Sequence, residues 1–253
     1  MFSLDSFSLE GKRAIVTGGT RGLCREIAQA YHDLGAQVVL WGRSGGAAEE
    51  MGAAGAPVWS VSCDLSQSGQ IQRAMEESLE HLGGRLDILV NGAGLQHRAP
   101  ALEFPEEQWR RIIEVNLTAM FLVSQQAGRL MCAQGSGRII NIASMCSFFG
   151  SVRIPAYSAS KGGVAQLTKA LSNEWAGQGV TVNAIAPGYM ATELTRSIQE
   201  TDPAQYDQIT ARIPMGRWGR PEDLQGLAVF LASPAAAYIS GAVIPLDGGY
   251  LGK

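Results

Sequence analysis

The stretch "TGGTRGLC", Thr17 to Cys24, follows the apolar run "AIV" at 14–16 and leads into a segment with helical spacing. Strand, glycine-rich turn and helix start form a ready anion site. Backbone N–H groups at the helix start point at a pyrophosphate, and glycines let it approach closely. Gly18, Thr20, Arg21, Gly22 and Leu23 are therefore candidate nucleotide contacts. Cys24 stands where such turns usually carry a third glycine. That glycine serves close packing of helix on strand, so a small thiol there leaves the phosphate donors in place. A plain strand–helix turn can look the same, and the surroundings have to decide.

Working outward, short apolar runs recur: "VVLW" at 38–41, "VWSV" at 58–61, "DILV" at 87–90, "RIINI" at 138–142, "VTVNAI" at 180–185 and "AVIPL" at 242–246. Several are β-branched and nearly continuous, as strands buried on both faces are. Between them lie amphipathic segments. Ile27, Ala28, Tyr31 and Leu34 mark one apolar stripe, stopped by Gly35; Trp109, Ile112, Ile113 and Leu117 mark another, on a helix from about Pro105 to Met131. A third helix is expected from about Tyr157 to Trp175. This alternation predicts an α/β, Rossmann-type doubly wound sheet of about seven parallel strands with helices on both faces. Its ligand sits beyond the carboxyl ends of the strands. The rhythm runs through residues 1–253 as one domain. It is interrupted only by a polar, proline-bearing excursion at about 188–220, which reads as a substrate lobe or lid.

The chain has 253 residues, 46% hydrophobic and 17% charged, enough for a large core without staples. A net charge of −3 argues against a non-specific nucleic-acid partner. The four cysteines, Cys24, Cys63, Cys132 and Cys146, show no C-x-x-C pairing and no zinc-ligand histidine spacing, so reduced thiols and no metal are expected. The opening "MFSLDSFSLEGKR" does not read as a signal peptide, and no run reaches membrane-spanning length. The cytoplasm is the expected compartment, without a membrane partner.

Three further stretches bear on the nucleotide. Asp64, beside Leu65 in "SCDLS", fits both an acceptor for an adenine amino group and a helix N-cap. Asn91, Gly92 and Ala93, in "NGAG", follow the fourth strand where backbone can lie against a cofactor. The second strand ends in "LWGRS", with no Asp or Glu to hold a ribose 2′-hydroxyl, whereas Arg43 can pair with a 2′-phosphate. This favours NADP(H), with NAD(H) possible.

In "SVRIPAYSASKGG", Tyr157 and Lys161 are one helical turn apart and share a face. A free tyrosine titrates near 10, too high for proton transfer at neutral pH. A neighbouring ammonium is expected to lower it. Ser144, after "RIINI", can hydrogen-bond a carbonyl or alcohol oxygen. Asn116, polar inside an apolar helical stretch, suggests a bent helix and a water-linked proton relay to Lys161.

The pieces "TGGTRGL", "CDLS", "DILVNGAG", "VNLT", "IINIAS", "PAYSASK", "VNAIAPG", "RWGRPEDL" and "GAVIPLDGG" together resemble the short-chain dehydrogenases/reductases over essentially the whole length. The resemblance implies hydride transfer between a nicotinamide and a substrate carbon. It casts Tyr157 as the proton-exchanging residue, Lys161 as its partner and nicotinamide-ribose ligand, Ser144 as the substrate-oxygen donor and Asn116 as the relay. It places Pro187, Gly188 and Thr192 around the nicotinamide carboxamide and implies a homotetramer. Two departures stand out: Cys24 for a glycine, and Gly92 for the second asparagine of the usual N-N-A-G.

Within that family the stretches "FSLEGK", "NIASMCSF", "RIPAYSASK", "NEWA", "NAIAPGYMAT" and "RIPMGRWG" resemble the sugar-acid branch, the 2-dehydro-3-deoxy-D-gluconate 5-dehydrogenases (also described as 2-deoxy-D-gluconate 3-dehydrogenases) and gluconate 5-dehydrogenases. A sugar acid needs a cation for its carboxylate, and Arg98 and Arg153 are the candidates, with His97, Met190 and Trp218 as walls. Two alternatives remain: a 3-oxoacyl-carrier-protein reductase with the same machinery, and a cofactor-binding scaffold without catalysis.

Overall fold

The computed structural model describes residues 3–44, 48–51, 55–192, 195, 198 and 200–253. Seven strands form one sheet: β1 Arg13–Thr17, β2 Gln37–Gly42, β3 Val58–Ser62, β4 Ile88–Asn91, β5 Gly137–Ile142, β6 Val180–Pro187 and β7 Val243–Leu246. Their order is β3-β2-β1-β4-β5-β6-β7, and every pairing is parallel. The order reverses between β1 and β4, so the crevice expected of a doubly wound sheet opens beyond Thr17 and Asn91, which face each other in register.

Successive side chains of a strand point to opposite faces, and the two cores follow that alternation. Ala14, Val16, Val38, Leu40 and Val90 pack under α1 (Gly22–Asp33) and α7 (Gln225–Ala232). Ile15, Val39, Trp41 and Leu89 pack under α2 (Ser68–His81) and α4 (Ala119–Gln134). Ile27, Ala28 and Tyr31 form the buried stripe of α1, and the Tyr31 hydroxyl donates to the Ala228 carbonyl at 3.0 Å. Leu34, the last member expected on that stripe, is exposed, because α1 ends at Asp33 and Gly35 turns the chain with φ +86°.

The long helix expected from 105 to 131 is present but not uniform. α3 (Glu106–Ile113) passes through a single π turn, Glu114–Thr118, before α4 begins. The turn is centred on Asn116, the residue whose polarity had suggested a bend. π turns place one extra residue in a helix and recur at functional sites. Trp109, expected on the buried stripe, is 41% exposed on α3, while Ile112 is buried.

α5 (Pro155–Trp175) starts with proline in its first turn, where a missing N–H costs nothing. The excursion after β6 carries α6 (Pro203–Arg212), which buries none of its described side chains. Among the described residues no helix is long and apolar enough to cross a membrane, and no cluster of His, Cys, Asp and Glu could hold a metal.

Candidate active site

The nucleotide end is built where the loops after β1 and β4 touch. Thr17 is nearly fully buried, and its hydroxyl accepts from the N–H of Gly92 at 3.0 Å and of Ala93 at 3.3 Å. A Cβ on Gly18 would lie 2.9 Å from Ala93 Cα, so glycine is required there by space as well as by its φ of +70°. Arg21 occupies the N-cap of α1 without a side-chain hydrogen bond, and its side chain is exposed. The first turn of α1 thus keeps donors free for an anion. Leu23 packs on the core, and Thr20 fills the space that a side chain at Gly42 would need. That crowding accounts for glycine at the end of β2. The first residue able to carry a charge there is the exposed Arg43.

Asp64 is not a helix cap: α2 is capped at Gln67, and the Asp64 carboxylate accepts from Ser66 N at 3.0 Å and Ser66 Oγ at 2.8 Å. These bonds hold the carboxyl below its usual range, and the Arg43 and Arg111 charges add to the effect. Arg43 and Asp64 therefore face one region. Leu65 belongs to the α2-side core. Asn91 is also turned inward. Its amide donates to Ser124 Oγ and Asn141 Oδ1, both at 2.9 Å, so only its backbone lies at the cleft. Pro187 ends β6 fully enclosed, and Gly188 follows with its N–H on the Leu246 carbonyl at 2.9 Å. Thr192 is held by Thr195, whose hydroxyl accepts from Thr192 N at 2.8 Å.

At the catalytic end three elements converge. Ser144 follows β5 and caps a short turn, its hydroxyl accepting from Cys146 N at 3.1 Å. Tyr157 and Lys161 project from α5. The Lys161 ammonium lies 5.7 Å from the Tyr157 ring centroid and donates to the Ile142 carbonyl at 2.6 Å. Asn116 is fully buried and clamps the loop after β4. Its Oδ1 accepts from Leu95 N at 2.7 Å, and its Nδ2 donates to Leu95 O at 2.9 Å and to Ser160 Oγ at 3.2 Å. Gly94 lies between Asn116 and Lys161: a Cβ there would be 3.5 Å from Asn116 Oδ1 and 3.9 Å from Lys161 Nζ.

The electrostatics depart from the simple expectation. Burial pushes Tyr157 up to about 12, with the nearby Ser144 hydroxyl offsetting part of the rise. Burial likewise pulls Lys161 down to about 8. The Lys161 ammonium donates to the Ile142 carbonyl, and its charge does not bring the tyrosine back below its usual range. Desolvation penalises both charged forms, and it dominates.

The outer pocket corrects two of the expected walls. Met190 is 4% exposed and packs against Gly219, in the core rather than the cleft. Trp218 is equally buried, stacked on Tyr206 at 4.9 Å with its indole N–H on Thr210 Oγ1 at 2.9 Å. Tyr189, next to Met190, is partly buried and packs against Trp218 and Tyr250. Burial raises its phenol, Tyr250, 5.6 Å away between ring centroids, and Cys146 add to that, and the Arg98 charge offsets part. Arg98 is exposed, and His97 meets Phe104 edge-on at 5.5 Å. Arg153 is exposed too, with φ +66°, the one left-handed non-glycine among the described residues. That conformation costs about 1–3 kcal/mol. It aims the Arg153 carbonyl at Ala99 N, 2.9 Å away, tying the loop before α5 to the one carrying Arg98. Tyr189, Tyr250 and Cys146 were not singled out from the sequence. The aromatic cluster joining Tyr189, Tyr206, Trp218 and Tyr250 forms only on folding.

The family model described as enoyl-(acyl carrier protein) reductase matches residues 18–251. The 2-dehydro-3-deoxy-D-gluconate 5-dehydrogenase of Bacillus subtilis (strain 168) is 44% identical over 252 residues, covering 98% of this chain and 98% of that protein. The gluconate 5-dehydrogenase of Gluconobacter oxydans (strain 621H) is 38% identical over 249 residues, covering 97% and 96%. The crystal structure of a gluconate 5-dehydrogenase from Burkholderia cenocepacia J2315, in complex with NADP and tartrate, superposes with a TM-score of 0.91. It is 38% identical and covers all of both chains. By motif, by topology and by these full-length likenesses, the chain belongs to the short-chain dehydrogenase/reductase family.

Proposed function

We propose that this protein is an NADP(H)-dependent oxidoreductase that interconverts a hydroxyl and a keto carbon of a sugar acid, of the 2-keto-3-deoxygluconate or gluconate type. The observation that carries the reading is the convergence of Ser144, Tyr157 and Lys161 at the strand ends, with the Arg98 charge near enough to act on Tyr189. The names of the Bacillus and Gluconobacter relatives support the substrate class, and the NADP of the Burkholderia complex supports the cofactor.

The residues present fit a dinucleotide. The uncapped start of α1, the tight contact of Gly18 with Ala93 and the exposed Arg21 and Arg43 offer donors and positive charge along one side of the crevice. Gly18, Thr20, Arg21, Gly22 and Leu23 would hold the pyrophosphate, Arg43 the 2′-phosphate, and Asp64 with Leu65 the adenine. Asn91, Gly92 and Ala93 would line the cofactor through their backbones, and Pro187, Gly188 and Thr192 would receive the carboxamide. The nicotinamide supplies or accepts the hydride.

In reduction the Tyr157 hydroxyl gives its proton to the substrate oxygen, while Ser144 donates a hydrogen bond to that same oxygen and orients it. Lys161 holds a positive charge beside the tyrosine, which stabilises the phenolate left behind. Asn116 holds Leu95 and Ser160 in place and keeps an open polar space toward Lys161. Arg98 receives the substrate carboxylate in bidentate fashion. The chain also assembles as a homotetramer in this reading. Edge strand β7, with Val243, Ile244 and Leu246 only partly covered, supports burial against a second copy.

Tyr157→Phe is expected to keep NADPH affinity within about threefold while lowering turnover by roughly 10²–10⁴. Near-normal turnover of a keto-sugar acid would overturn the mechanism. Arg43→Ala should weaken NADPH by roughly tenfold and leave NADH unchanged in fluorescence titration. An equal loss for both cofactors would remove the basis for NADP(H). The rate of reduction needs a neutral Tyr157 and a charged Lys161. With Lys161 titrating at about 8, kcat for reduction should hold at neutral pH and fall above pH 8. Oxidation needs the phenolate, and with Tyr157 titrating at about 12 and the Lys161 charge lost above pH 8, its rate should show no rise centred on pH 8. A reduction rate that rises through pH 8 would contradict this assignment. Light scattering should give four chain masses; a monomer would refute the tetramer.

A further inference from the structure

Cys24 and Gly92, the two departures from the family pattern, lie far apart in sequence but form one contact. A Cβ built on Gly92 would run into Cys24 Sγ, and would stand 3.1 Å from the Thr17 carbonyl oxygen and 3.3 Å from Cys24 Cβ. Gly92 does not have the left-handed φ that selects glycine, so it is the space and not the backbone that calls for glycine here. Cys24 itself is 5% exposed, in the core with Val16, Ile27 and Val90. Burial pushes its thiol up to about 12, so it is an uncharged packing group rather than a nucleophile.

We propose that Cys24 and Gly92 are a reciprocal pair: the thiol fills the volume of a side chain at position 92 and sets the gap between the two loops that carry the nucleotide. Three contacts join those loops. Gly18 rests on Ala93, the Thr17 hydroxyl takes the N–H groups of Gly92 and Ala93, and Cys24 rests on Gly92. The first two fix the loops along the strand direction. The third sets how closely α1 approaches the end of β4. With Cys24 in place, a side chain at 92 must either expel the thiol from the core or push the β4 loop into the nucleotide crevice. Without Cys24, the clash with the thiol and its Cβ is gone. The remaining contact, with the Thr17 carbonyl, is relieved by a shift of a few tenths of an ångström. The departures therefore compensate each other, with Cys24 as a positioning residue for cofactor binding.

The test is a double-mutant cycle on the full chain: wild type, Cys24→Gly, Gly92→Asn and the double variant. Melting temperature without nucleotide reads the packing, and it stands whichever cofactor the protein uses. The affinity for NADPH, and KM for NADPH set against kcat, read the positioning and rest on the cofactor reading above. Gly92→Asn should lower the melting temperature and weaken NADPH by roughly tenfold or more, with KM rising and kcat within about threefold. The double variant should return to within about threefold of wild type in affinity and recover most of the lost melting temperature. If Gly92→Asn does not fold, folding of the double variant is the rescue. Gly92→Ala, whose methyl meets the same thiol, then supplies the affinity. Two outcomes overturn the pair: a double variant as poor as the combined losses of the singles, or Gly92→Asn tolerated with Cys24 present. A loss of kcat at unchanged KM would show a lowered active fraction and remove the positioning role.

Discussion

Everything at the crevice depends on how closely the loop after β1 can approach the loop after β4. Two parallel strands at the switch point diverge at their carboxyl ends, and a cofactor fits only if backbone, not side chain, lines the divide. Gly18 against Ala93, and the Thr17 hydroxyl between two N–H groups, hold that divide at backbone thickness. The same constraint reaches the neighbouring strand. Thr20 leaves no room for a side chain at Gly42, so any charge meant for the ribose end has to come from one residue further on, at Arg43.

The catalytic end is organised by burial instead. Lys161 is almost wholly enclosed, and Asn116 is entirely so. In such surroundings the charged form of a group is costly unless a partner is close. Lys161 finds the Ile142 carbonyl at the end of β5, and Asn116 finds the Leu95 backbone in the loop after β4. The π turn is what lets Asn116 reach across while α3 and α4 continue on either side. Tyr157, partly exposed, is left protonated. Its proton affinity stays high until something at the cleft stabilises the phenolate.

Much of this was legible beforehand. All seven strands lie where the short apolar runs put them, because a strand buried on both faces needs little besides β-branched and aliphatic residues. Tyr157 and Lys161 share a face because a helix repeats every 3.6 residues, and the bend at Asn116 showed as a polar residue in an apolar stripe. The errors have equally physical causes. Leu34 and Trp109 fit the helical period but remain 41% exposed. Met190 is expected as a wall but is buried, because no local pattern tells which residue leaving a strand turns inward. The bridge between Met190 and Gly219 decides it.

The amino-acid sequence by itself determined the parallel sheet of about seven strands and the four polar groups of the candidate site, since each is written in spacings of a few residues. Only the tertiary structure decided that Tyr189 and Tyr250 meet, that burial outweighs the lysine at Tyr157, and that Cys24 and Gly92 touch. These depend on distances between segments far apart in the chain and on how much water the assembled molecule excludes. Local periodicity carries no record of either.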